Sequence, residues 1–361
     1  MREAALADPL SFVAGLTGPV VIDEVQRAPD LLLALKAAVD RDRMPGRFLV
    51  TGSAQILQLP RLADTLAGRI EVLTLWTFTQ GELGGVRDSL IERLFADTGV
   101  VGGPRDSVAH PGNERLIARM SAGGYPEAVE RTSPARRDAW FRNYVLTVTE
   151  RTVRDIAEIS GLPDLRRLLA ALAARSGSLL NHADLSRSLG SPQTTLKRYL
   201  ALLEITFLVL RLPAWHANLT SRLAKAAKAY IADTGLLLHL IGADQARLAG
   251  DPTLLGAVLE SFVVNELVRQ AGWSCVPVDL FHLRTHTGRE VDIVLEDHRG
   301  RLVGIEVKLT ASPSARDFQG LEALADLAGD RFQRGVLLCL AGSSVAFGPK
   351  LQTLPLAALW A

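Results

Sequence analysis

A short apolar run ending in two acids, Val20-Val21-Ile22-Asp23-Glu24, restricts the fold of this chain more than any other stretch. A run made wholly of apolar, mostly β-branched residues predicts a strand buried on both faces, as in a parallel sheet flanked by helices. Such sheets gather ligands beyond the carboxyl ends of their strands, where Asp23 and Glu24 would stand. Residues 30–39 then carry a helical pattern. A second strand is expected over 47–50, running into Thr51-Gly52-Ser53, and a third over 70–75, after Leu66-Ala67-Gly68-Arg69. An aspartate beside a glutamate suits Mg²⁺ binding and polarisation of an attacking water. A polar residue closing the neighbouring strand suits a sensor of the terminal phosphate. A plain strand end leading into a helix N-terminus, where acids are favoured anyway, accounts for the same pair without chemistry.

The remainder of the chain has room for more than this sheet, since 361 residues correspond to two or three domains at roughly 150 residues each. Hydrophobic residues make up 48% and charged residues 22%, which excludes a disordered or collagen-like chain. A formal net charge of +1 excludes a uniformly basic coat protein for nucleic acid but leaves local patches open. Two cysteines, Cys275 and Cys339, without CxxC spacing, predict no disulfide framework and a cytoplasmic location. Glu3 and Asp8 are wrong for a signal peptide. No apolar run reaches the roughly 18 residues that span a bilayer, so no membrane partner is expected.

Glycine-rich residues 84–112 predict a loop-rich boundary, and 113–159 a helical region broken at Gly123-Gly124-Tyr125-Pro126. Along the helix expected over 136–157, Trp140, Tyr144, Val148 and Ile156 read as core-facing positions. Helices are expected over 165–174, 181–190 and 193–207, the last with Ser191 as N-cap and Pro192 at its first turn. A short helix, a glycine turn and a capped longer helix make a helix-turn-helix. Strands expected over 207–212 and 228–233 would add a wing. Residues 162–235 hold ten Lys and Arg against four acids, a local charge of +6, and three of the six lysines. Gln193, Thr194, Lys197 and Arg198 would face DNA bases, and Arg222, Lys225 and Lys228 would meet phosphates from the wing loop. Winged helices also serve as dimerisation or docking modules, which would leave this face without DNA.

Residues 236–361 alternate short helices and strands: a helix over 256–270 carrying Glu260, strands over 290–295 and 302–309, a helix over 318–328 and a strand over 336–340. Alternation along a strand points Glu306 and Lys308 the same way, with Asp292 on the neighbouring strand. Two carboxylates beside a lysine suit Mg²⁺ or Mn²⁺ and an activated water. The alternative is an ordinary cross-strand pair, Asp292 with Lys308. His282 and His286 lie four apart without a completing acid, and a strand end explains them better than zinc.

The succession VVIDEVQRAPDLLLALKAAVD, RFLVTGSAQ and LAGRIEVLTLWTFTQGEL resembles the AAA+-type, archaeal-ATPase-like family of bacteria and archaea, in which an uncharacterised domain follows the ATPase. GGYPE resembles a turn of that family. The resemblance implies Asp23 and Glu24 as a Walker B pair, Glu24 catalytic, with Ser53 and Arg69 near the nucleotide, and ATP as cofactor. It also leaves room for a homo-oligomer. None of the six lysines is followed by Ser or Thr, so the sequence holds no G-x-x-x-x-G-K-[ST] phosphate loop. Only 22 residues precede Asp23, which implies a misplaced start, a truncated gene or a degenerate member. Efficient ATP hydrolysis is therefore not expected of this chain. Asp292, thirteen residues, then Glu306-x-Lys308 resembles the PD-(D/E)xK nucleases, with Val291 in place of proline and Glu260 as the acid from the preceding helix. The expected fold is α/β and multidomain. It comprises a partial P-loop-type sheet (1–85), a helical connector (86–161), a winged helix-turn-helix (162–235) and a restriction-endonuclease-like domain (236–361). The function expected is DNA-directed: Mg²⁺-dependent DNA processing, or a non-catalytic DNA- or protein-binding switch with relic sites.

Overall fold

The computed structural model describes residues 1–55, 66, 68–87, 89–97, 112–153 and 161–360. Its first part packs α1 (Arg2–Ala7), α2 (Pro9–Ala14) and α3 (Leu31–Arg41) on a parallel pair, β1 (Val20–Ile22) and β2 (Phe48–Val50). Val13, Leu31, Leu32 and Leu35 form the core here, with Ile22, Phe48 and Val50 against them. The parallel pairing agrees with the sequence reading, but burial on both faces does not. Val21 and its partner Leu49 are 66% and 58% exposed, because the helices cover one face and no described residue covers the other. Residues 70–75 are not a strand. They pair with neither β1 nor β2, and Leu73 and Leu75 are exposed. An apolar run without a partner edge supplies no ladder for its backbone, so its composition alone does not make it a strand.

The next helices are α4 (Gln80–Leu83), α5 (Leu90–Phe95), α6 (Asn113–Ala122), α7 (Pro126–Val129) and α8 (Pro134–Thr147). Thr79 and Glu82 close a capping box on α4. Helix α5 lies inside the stretch read as loop, with Leu90, Ile91, Leu94 and Phe95 buried. Of the helix expected over 136–157, α8 and a single π-turn (Val148–Thr152) are seen, and Ile156 lies outside the described residues. Trp140 and Tyr144 stack on each other at 5.1 Å between half-buried rings.

A three-helix unit follows: α9 (Leu162–Ala173), α10 (His182–Leu189) and α11 (Gln193–Ile205). Asn181 accepts the Asp184 amide at the start of α10, and Gly190, with φ 66°, ends it. Pro192, rather than Ser191, occupies the N-cap of α11. Strands β3 (Val209–Leu212) and β4 (Lys228–Ile231) form an antiparallel ribbon, and Leu179 bridges to Lys228 on its far side. The long ribbon loop, with α12 (Leu219–Ala224), is docked rather than free. Trp215 donates to the His282 carbonyl at 2.6 Å, and His282 donates to that of Pro213 at 2.9 Å.

Helices α13 (Thr234–Leu240), α14 (Gln245–Gly250) and α15 (Pro252–Ala271) lead into a five-stranded sheet. Its strands β5 (Val278–Arg284), β6 (Glu290–Asp297) and β7 (Leu302–Val307) are antiparallel. From β7 the chain crosses through α16 (Gln319–Ala328) to the parallel strands β8 (Phe332–Cys339) and β9 (Leu351–Pro355). One hydrophobic core runs from Leu90 to Trp360, so the boundary expected at 235/236 divides no core. Among the described residues, no helix is long and apolar enough to cross a membrane. Helix α16 sits so close to the sheet that a Cβ on Gly320 would lie 1.8 Å from the Glu290 carbonyl oxygen. Backbone cannot yield there as a side chain can. Gly320→Ala is expected to cost about 1–3 kcal/mol, read from a urea unfolding curve; an unchanged midpoint would contradict this packing.

Candidate carboxylate–lysine site

The hairpin joining β6 to β7 sets the site. Its register pairs Ile293 with Ile305, which places Asp292 opposite Glu306 and not opposite Lys308. The cross-strand Asp292–Lys308 pair is thus not what forms. Lys308 instead reaches back along its own strand to Glu306, at 2.9 Å, so the two side chains do share a direction. Asp292 accepts the Val307 amide at 2.9 Å, and Glu306 accepts the Asp292 amide at 3.4 Å. Glu260, from the first half of α15, joins through a lysine: Lys228 Nζ is 2.8 Å from Glu260 Oε1 and 3.8 Å from Asp292 Oδ1. Tyr230 donates to the same Glu260 oxygen at 2.6 Å.

These groups shape one another's charge. Burial, then the charges of Glu306 and Glu260, push the Asp292 carboxyl up to about 8. Burial also raises Glu306, although Lys308 pulls it down. Burial works against the Lys228 and Lys308 ammonium groups, but Glu260 and Asp292 hold Lys228 above its usual value, as Glu306 does Lys308. Two acids facing each other across a hairpin cannot both ionise cheaply, so the cluster carries fewer charges than its composition implies. Lys228 stands between Glu260 and Asp292, and among the described residues no three His, Cys, Asp or Glu groups stand in a metal-holding arrangement. As arranged, the residues do not fit a divalent ion.

Glu260, Asp292, Glu306 and Lys308 are therefore brought together, while Lys228 and Tyr230 are additions that sequence reasoning missed. Lys228 was expected on a phosphate-facing wing, but its side chain is 9% exposed within the acid cluster. A signal was there: Lys228 and Tyr230 are alternate residues, hence on one face of an otherwise apolar strand. Arg222 is also turned from the wing role. It grips Glu296 with two nitrogens, at 2.5 and 3.1 Å, and lies over the Trp215 and Phe281 rings. Lys225 is exposed on the ribbon loop, and Gln193, Thr194, Lys197 and Arg198 are all exposed on the first turns of α11. His282 is buried, donating to or accepting from no acid in the cluster; its Nε2 meets the Ala226 carbonyl, and burial pushes it down to about 4. No zinc role is supported for it.

At the other end of the chain, Asp23 and Glu24 stand at the carboxyl ends of the parallel pair. Thr51 Oγ1 donates to Asp23, and Ser53 donates to Glu24 at 3.1 Å. Gln26 donates to both Glu24 and Ser53, and Glu24 holds a left-handed backbone at φ 54°. Arg69 grips Asp40 on α3, at 2.6 and 3.1 Å. Carboxylates, hydroxyls and an amide at open strand ends fit the magnesium- and water-facing side of a nucleotide site, without the phosphate loop that the sequence lacks.

Residues 3–84 match the family model described as an AAA domain. The first segment is therefore similar to AAA-type, ATPase-like domains, and a further domain follows it. Residues 113–247 and 255–359 match two domains of unknown function, DUF8612 and DUF4143. Uncharacterized proteins of Mycobacterium tuberculosis and Mycobacterium bovis are each 34% identical over 309 residues, which is 86% of this chain and 63% of theirs. One from Haemophilus influenzae is 26% identical over 293 residues, 76% of this chain and 62% of its own. The chain thus spans about three fifths of the length of the curated relatives it matches. Among solved structures, a chain of the Thermococcus gammatolerans McrB AAA+ assembly with bound McrC is similar at 12% identity, covering 93% of each chain. Its TM-score is 0.26, too low to carry any argument.

Proposed function

We propose that this chain joins its ATPase-like segment to a DNA-directed module, with α9–α11 and the ribbon as a winged helix-turn-helix and the last sheet as a restriction-endonuclease-like domain. The observation that carries the reading is the convergence of Glu260, Asp292, Glu306 and Lys308, from one helix and two strands, on one cluster. The chemistry assigned to it is hydrolysis of a DNA phosphodiester, with Lys308, the more exposed of the two lysines, orienting the attacking water. The exposed face of Gln193, Thr194, Lys197 and Arg198 supplies the DNA contact.

The test is nicking of supercoiled plasmid by the purified chain in Mg²⁺ or Mn²⁺. Activity lost in Asp292→Asn and in Lys308→Ala supports the nuclease reading; inertness on duplex, single-stranded and branched DNA overturns it. Duplex binding should weaken with salt, and Lys197→Ala/Arg198→Ala should flatten the log–log slope by about 2. A second reading, a DNA- or protein-binding regulator without cleavage, is favoured by the ammonium of Lys228 lodged among the acids. It predicts the salt-dependent binding without nicking.

A further inference from the structure

The cation among the acids comes from outside the C-terminal domain. Lys228 opens β4 of the ribbon, and Tyr230 follows two residues later on the same strand. The backbone there is pinned from both sides. Lys228 pairs with Leu212 of β3, while Gly177 donates to the Ala229 carbonyl at 2.8 Å and Ala229 to that of Ser178 at 3.2 Å. What remains adjustable is the four-carbon stem of the lysine.

Three carboxylates face two ammonium groups in this cluster, Glu260, Asp292 and Glu306 against Lys228 and Lys308. Lys308 is engaged by Glu306, so the gap between Glu260 and Asp292 is neutralised by Lys228 alone among the contacts described. A divalent ion bound by both acids would sit about 2.0–2.6 Å from their oxygens. That is inside the space Lys228 Nζ occupies, 2.8 Å from one acid and 3.8 Å from the other. Two cations cannot share it.

We infer that Lys228 is a built-in cation in the place where a divalent ion would join Glu260 to Asp292, so that lysine and metal exclude each other. The inference rests on reading the acids as a nuclease-type site, and adds that entry to that site is governed by a residue of the neighbouring helical module. In the arrangement described the site is closed to metal; withdrawing the lysine side chain opens it. A carboxylate cluster left without its lysine carries surplus negative charge, which a divalent ion relieves in competition with protonation of its acids.

Titration of Mn²⁺ alone into the full chain, followed by electron paramagnetic resonance, tests this. Lys228→Gln should bind one Mn²⁺ about ten-fold tighter than wild type, or better. Lys228→Arg, which keeps the cation, should behave as wild type, and Lys228→Gln/Asp292→Asn should lose the gain. Equal Mn²⁺ affinity in wild type and Lys228→Gln overturns the inference, as does a gain that survives in the double variant. Should Lys228→Gln not fold alone, refolding with Mn²⁺ must restore it; failure to do so also overturns the inference. The nuclease reading fails separately. Tight Mn²⁺ binding by Lys228→Gln with no nicking by any variant removes that reading and keeps the exchange. Nicking by wild type with no gain in Mn²⁺ affinity does the reverse.

Discussion

Replacing Arg269 with methionine is expected to destabilise the chain by about 3–5 kcal/mol, the usual cost of breaking a buried ion network from one side. Arg269 is 4% exposed, and its two acid partners, Asp233 and Glu266, are fully buried. One guanidinium nitrogen lies 3.0 Å from Asp233, and the other 3.2 Å from Glu266 and 3.0 Å from the Phe78 carbonyl. Each acid also accepts from backbone. Asp233 takes the amides of Gly124 and Leu236, at 2.7 and 3.0 Å, and Glu266 that of Gln80 at 2.9 Å. The arginine thus fastens the end of the AAA-matching segment, the glycine turn after α6 and the start of α13 onto α15. Methionine fills much of the volume but leaves two carboxylates buried without a cation. Urea unfolding of Arg269→Met should show the loss, and Arg269→Met/Asp233→Asn should recover part of it, since one orphaned charge is gone. A loss under about 1 kcal/mol would mean that the network is solvated.

Much of this could be read from local signals. The strand alternation that places Glu306 and Lys308 together needs no partner to be known, and neither do the Asn181 cap and the Gly190 stop of α10. Contacts far apart in sequence could not be read this way. Lys228 looked like a wing residue because charge along a chain does not say which helix will cover it; Glu260 does so from 32 residues away. The turn at Gly123-Gly124 was visible as a break, but its cause was not: a Cβ at Gly123 would lie 2.2 Å from Asp233, a residue far along the chain. Residues 70–75 failed in the opposite sense, since strand-like composition without a partner edge made no strand. Helix α5 was hidden because glycines on either side dominated a stretch whose buried apolar face is only six residues long.

Glu266 makes the same network pH-dependent. Burial, only partly offset by Arg269 and the Gln80 amide, pushes its carboxyl from 4.5 up to about 7. Between those values the native chain keeps a proton that the unfolded chain has released. Stability from this group therefore falls as pH rises from about 4.5 to 7, then levels, a total of about 3 kcal/mol. Wild type alone would hide the fall. Burial depresses His282 from 6.5 to about 4, so there the unfolded chain takes up the proton and stability rises with pH over that range. The two slopes oppose each other up to about pH 6.5, and Asp292, raised from 3.8 to about 8, adds to the fall in any variant that keeps it. The comparison to make is Glu266→Gln against wild type, because glutamine has no proton to lose and keeps an acceptor for the Gln80 amide. Their difference in unfolding free energy should move toward the variant by about 3 kcal/mol between pH 4.5 and 8. A difference that stays flat would mean that Glu266 is ionised in the native chain throughout. The Arg269 charge would then outweigh the burial of its partner, and Arg269→Met would fall at the severe end of its expected range.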